Sequence, residues 1–150
     1  MESEDPPSKI DIHINTPYVF TPPFAIKELI EWVCKLKAVN EGAFEFSFVD
    51  KLTIQNVNKQ HLQHDYPTDT ISFNLNSTTA PDADIYICIP VVEENAVAYN
   101  NAFASELALV IIHSILHTLG YNDQTQSEKL IMDNEQSRLF NLYQPHLCQH

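Results

Sequence analysis

FASELALVIIHSILHTLGYND, residues 103–123, decides how this chain folds. From about Phe103 to Leu119 the residues suit a helix, and Leu107, Leu109, Val110, Ile111, Ile112, Ile115 and Leu116 make it apolar nearly all round. That pattern predicts a buried central helix rather than a surface one. Gly120, one of only two glycines in the chain, follows where a helix C-terminus favours a residue tolerant of a left-handed backbone. Set into the apolar helix are His113 and His117, four residues apart and so one above the other on one face, about 6 Å apart along the axis. Two imidazoles buried there without partners cost free energy. A shared cation removes that deficit while each ring's other nitrogen takes an acceptor. The break at Gly120 lets the chain fold back so that Asp123 reaches the same ion. A bare His pair at this spacing also arises by chance, and two core histidines without metal are the alternative. Position 114 is Ser where a zinc protease of the His-Glu-x-x-His type carries its general base, so a peptidase of that class is disfavoured.

Upstream, Ile10, Ile12 and Ile14 alternate with polar residues as a strand with one buried face, which points His13 outward. Thr21 before Pro22 and Pro23 reads as a helix start, continued at helical spacing by Ile26, Leu29, Ile30, Val33 and Leu36 to about Val39. Phe44, Phe46 and Phe48 mark a second strand, and Ile54, Val57, His61 and Leu62 a short helix. Thr70 to Leu75 is a third strand. Polar residues 76–83 form the turn to a fourth, Asp84 to Ile89. After Pro90 a helix is expected over Val91 to Asn101, with Glu93 and Glu94 at its positive end. Thr125 and Glu128 match a capping box that opens a last helix through Leu130, Ile131, Leu139 and Phe140. Trp32 and the Phe strand are core.

At 150 residues and 17.1 kDa, with 44% hydrophobic and 19% charged residues, the chain has the size and material of one folded domain. Residues 1–8 read as a disordered tail, 9–143 as the domain and 144–150 as a C-terminal tail. The longest apolar run, Leu107 to Ile112, is far short of the ~20 residues that cross a bilayer. The acidic N-terminus lacks the apolar stretch of a secretory signal, so no membrane partner and a cytoplasmic location are expected. Cys34, Cys88 and Cys148 show no Cys-x-x-Cys pair and read as small core residues. A net charge of -12 repels phosphate and argues against a simple nucleic-acid clamp. Residues 61–150 hold only Lys129 and Arg138 as basic groups, so an anion-attracting face must come from the first part. His146, Cys148 and His150 are metal-binding types in a frayed end, and His61 and His64 are surface residues of the short helix.

Ile112 to Asp123 resembles the His-Gly-x-Leu-His-x-x-Gly-Tyr-Asp-His signature of the YbeY family, single-domain bacterial metalloproteins implicated in ribosomal RNA maturation and described as endoribonucleases. Asp65 to Phe73 is similar to the family's Asp-x-Pro-Thr-Asp-Val-Leu-Ser-Phe block, and Ala83 to Ile87 to its Gly-Asp-Ile-x-Ile strand. Phe103 to Leu107 and Met132 to Glu135 fit the flanks, so the likeness runs in order over about residues 9–143. Two positions depart from it. Asp123 replaces the usual third His, which makes the ligand set kinder to harder ions. Leu62 stands where the family commonly has Arg, a natural phosphate clamp.

The resemblance implies an α+β fold with a mixed four- to five-stranded sheet packed with helices, the buried central helix carrying the metal histidines in a cleft beside the sheet. It implies one divalent metal ion, zinc first, on His113, His117 and Asp123, and no nucleotide cofactor. Asp69 is the candidate catalytic base, although Thr68 and Asp69 could equally cap a helix or stiffen a turn. The activity implied is metal-dependent cleavage of single-stranded rRNA in rRNA maturation and ribosome quality control, with rRNA or a ribosomal subunit, and ribosomal proteins, as partners. Its rivals are a ribosome-assembly protein with a structural metal, favoured by Leu62, and a metal hydrolase with a non-RNA substrate.

Overall fold

The alternating isoleucines build β1 (Lys9–Asn15) of the computed structural model, which describes residues 9–19, 25–62 and 67–147, apart from the side chains of 62 and 144–147. Ile10, Ile12 and Ile14 turn to the core and His13 to solvent, as their period predicts. There follow α1 (Ile26–Leu36), β2 (Glu41–Val49), α2 (Lys51–Leu62), β3 (Thr70–Asn74), β4 (Asp82–Cys88), α3 (Ile89–Ala98), α4 (Phe103–Thr118) and α5 (Gln126–Leu147). The described strands form one sheet in the order β1-β2-β4-β3. The first three run parallel, and β3 lies antiparallel on β4 at the edge. This is the expected α+β architecture, with four strands among the described residues.

Several boundaries moved for local reasons. α1 stops at Leu36, short of Val39, because Ala38 takes a left-handed φ of 57° and the Val39 N–H returns to the Cys34 carbonyl at 2.8 Å. The expected start at Thr21 and the tail 1–8 lie outside the described residues. α3 begins at Ile89, since Pro90 occupies its first turn, where a missing N–H costs nothing. Glu93 and Glu94 therefore fall past the first turn instead of at the positive end, and Glu94 pairs with Lys51 of α2. α5 continues to Leu147, into the stretch 144–150 read as a tail. It starts where the capping box predicts. Thr125 Oγ1 accepts the Glu128 N–H at 3.1 Å, and Glu128 Oε1 accepts the Thr125 N–H at 3.2 Å.

One face of the sheet carries the main core, with Phe44, Phe46, Phe48, Ile85 and Ile87 packed beneath the helices. α2 covers part of the other, where Ile54, Ile71 and Cys88 form a smaller cluster. α4 touches α1, α3, α5, β3 and β4 and is the central helix. Gly42 is fixed by close approach: a Cβ there would lie 2.5 Å from the Pro81 carbonyl oxygen, which also accepts the Ala43 N–H at 2.8 Å. Cys34 and Cys88 are buried free thiols, and burial pushes Cys34 up to about 12, so it stays an uncharged core group.

Candidate metal centre

α4 buries Ile111, Ile112, Ile115 and Leu116 completely, but the side bearing His113 and His117 opens on a cavity of 380 Å³. The two rings are half-buried rather than sealed in the core, and the His117 side chain keeps 28% exposure. Their centroids are 4.7 Å apart with planes crossed at 79°. Beyond Thr118 the chain leaves the helix through a double closure: the Tyr121 N–H donates to the Leu116 carbonyl and the Gly120 N–H to that of His117, both at 3.1 Å. Gly120 adopts a φ of 101°, open to glycine and strained for other residues. The reversal brings Asp123 back over the helix end, with its Oδ2 3.5 Å from His117 Nε2.

One donor atom from each of His113, His117 and Asp123 lies within 4.8 Å of the others. Two ligands at ~2.0–2.2 Å from a tetrahedral ion stand about 3.4 Å apart, close to the His117–Asp123 separation. The donor set, two imidazoles and a carboxylate, therefore fits a divalent transition-metal ion. Burial, then the neighbouring His113 ring, lowers the pKa of His117; Asp123 and the Tyr121 backbone oppose this in part. The net direction favours the neutral ring, the form that ligates a metal.

His113 is oriented by a residue the sequence reading missed. Its Nδ1 lies 2.7 Å from Gln136 Oε1 on α5. Gln136 shares the inward side of α5 with Met132, Leu139 and Tyr143, all buried. A polar side chain in register with that apolar series was the available signal. Lys37 was also missed. Its Nζ donates to Tyr121 Oη at 2.6 Å and to Glu135 Oε2 at 2.5 Å, tying the loop that carries Asp123 to both α1 and α5.

The opposite wall comes from the edge strand β3 and its approach: Thr68, Asp69, Thr70, Ser72 and Asn74. Asp69 lines the same cavity as the three candidate ligands. Thr68 Oγ1 bonds Asp69 Oδ1 at 3.4 Å, and the Asp69 carbonyl accepts the Cys88 N–H at 2.9 Å, fixing its backbone to β4. Ser114 is fully buried, bonding the Val110 carbonyl and Thr70 Oγ1, each at 2.8 Å. Asn74 Nδ2 donates to the Thr118 carbonyl at 2.9 Å, so β3 is stitched to α4 along the cavity. His61 stacks edge-on against Phe73 at 5.2 Å and is not among the cavity residues. His64, the side chains of Leu62 and His146, and residues 148–150 lie outside what the structure describes.

The family model described as Endoribonuclease YbeY matches residues 12–144. The chain belongs to the YbeY family. The protein named Endoribonuclease YbeY from Chloroherpeton thalassium is 38% identical over 113 residues, 75% of this chain and 80% of that one. Its namesake from Flavobacterium psychrophilum is 35% identical, covering 81% and 93%. A solution structure of a Thermotoga maritima protein superposes with a TM-score of 0.57 at 27% identity, over 87% of this chain and 86% of that one. In this YbeY-family chain His113, His117 and Asp123 line one cavity. No single helix among the described residues is long and apolar enough to cross a membrane.

Proposed function

We propose that this chain is a metal-dependent endoribonuclease acting on single-stranded ribosomal RNA, with His113, His117 and Asp123 holding one divalent ion, zinc first, and Asp69 as the base. As a member of an endoribonuclease family it is a nuclease, a hydrolase. The observation that carries the metal reading is the convergence of the three donors on a cavity whose facing wall holds Asp69. A divalent ion bound there supplies Lewis acidity toward a phosphate oxygen and makes water a nucleophile near neutral pH.

The chain's own groups do the rest. His113, His117 and the Asp123 carboxylate bind, while the Ser72 hydroxyl on the facing wall, held only by a long 3.5 Å bond to the Ser114 carbonyl, offers a hydrogen bond to ribose and phosphate oxygens. Asp69 takes the proton released as a water oxygen bonds to phosphorus, the P–O bond to the leaving ribose oxygen breaks, and Asp69 gives that proton to the leaving oxygen. A role in rRNA maturation and ribosome quality control in the cytoplasm extends the same reading. The net charge of -12 fits it to a ribosomal subunit whose basic proteins supply contacts that naked RNA lacks.

The test is His117→Ala, read by metal stoichiometry, RNA cleavage and circular dichroism. Loss of metal and of cleavage with an intact fold is expected. Metal lost with cleavage retained refutes the catalytic role. Unfolding of the variant favours the rival in which the ion only ties α4 to its following loop, a reading to which Leu62 lends weight. Cleavage of a non-RNA ester alone supports the hydrolase rival.

A further inference from the structure

From the contact between His113 Nδ1 and Gln136 Oε1 we infer that Gln136 is the positioning residue that fixes the tautomer of His113 and presents its Nε2 to the cavity. The inference rests on the metal reading of this site. Two nitrogens compete for one proton in a neutral imidazole, and the wrong choice leaves an N–H facing the ion. An amide oxygen can only accept. At 2.7 Å from Nδ1 it holds the proton there and leaves the Nε2 lone pair free.

The arrangement is asymmetric between the two rings. His117 is steadied by Asp123 and by the Tyr121 backbone, groups that belong to its own loop. His113 depends on a side chain twenty-three positions away, on a different helix. Met132 and Leu139 on either side of Gln136 are fully buried, so α5 is held against α4 and the amide has little freedom to leave. α5 is thereby part of the metal centre although it carries no candidate ligand. Substitution along its inward side should be read as a change in the site as well as in packing.

The test uses the whole chain with ¹⁵N-labelled histidine. In the metal-free wild type, ¹⁵N–¹H spectra are expected to show His113 in the Nδ1–H form. Gln136→Met keeps the length and removes the acceptor. It is expected to give mixed tautomers and to weaken zinc binding, measured by chelator competition, by roughly 10–100-fold. Gln136→Glu keeps an acceptor and is expected to retain the Nδ1–H form and zinc affinity at least equal to the wild type. Thermal melts of all three establish that they are folded.

Zinc affinity of Gln136→Met within about twofold of wild type, or an unchanged tautomer, overturns the inference. So does a Glu variant as weak as the Met variant. If the wild type binds no zinc, the metal reading fails by itself, and the spectra of the metal-free proteins still decide whether Gln136 sets the tautomer.

Discussion

Replacing each of the two glycines by alanine should damage different properties, because the two positions are constrained for different reasons. At Gly120 the φ of 101° is strained for alanine, and the new Cβ would meet Thr78 Cγ2 at 3.3 Å, the movable end of a side chain. The cost is mainly backbone strain, about 1–2 kcal/mol. At Gly42 the φ is 137°, and the Cβ would lie 2.5 Å from a backbone oxygen that is itself holding the Ala43 N–H. Strain and overlap add there to roughly 3–4 kcal/mol. Urea unfolding followed by circular dichroism should therefore rank Gly42→Ala well below Gly120→Ala in stability. At roughly 2–4 °C of Tm per kcal/mol for a chain this long, Gly120→Ala is expected to melt about 2–8 °C below wild type. Zinc affinity should rank the other way among folded molecules. Gly120 shapes the turn that returns Asp123 to His117, whereas Gly42 lies on β2, away from the cavity. Gly120→Asn, which tolerates left-handed geometry better, should recover part of both losses. Gly120→Ala with wild-type stability and wild-type zinc affinity would refute the account of how Asp123 is placed.

Two further predictions concern α5. Arg138, bonded to both carboxylate oxygens at 2.7 Å, and then Lys37 hold the Glu135 carboxyl down at about 2 against an ordinary 4.5, with burial opposing them. A depressed carboxyl stabilises the fold fully above its unfolded pKa, and that contribution disappears as pH falls from about 4.5 toward 2. Discounted for solvent screening it is on the order of 1 kcal/mol. Glu135→Gln should thus be less stable than wild type at pH 6, with the gap closing by pH 2–3; a gap constant over that range contradicts the assignment. Thr125→Ala removes half of a reciprocal cap and should cost about 1 kcal/mol in urea unfolding. An unchanged midpoint would mean that the cap adds nothing.

The sequence by itself determined the features governed by near neighbours. The apolar run of α4, the four-residue His spacing, the glycine stop and the Thr125–Glu128 cap each depend on contacts within a turn or two. They brought His113, His117 and Asp123 to one place without knowledge of the rest of the fold. Helix ends at Ala38 and Asn100 escaped, because these residues take positive φ without the glycine that usually marks it. Only the tertiary structure decided what faces the three donors. The contacts of His113 with Gln136 and of Ser114 with Thr70 join residues 23 and 44 positions apart, and depend on how α5 and β3 dock on α4. The same docking left one side of an otherwise buried helix open to a cavity, which no local apolar pattern specifies. Local periodicity says which face of an element is apolar; packing between elements decides which polar exception on that face finds a partner.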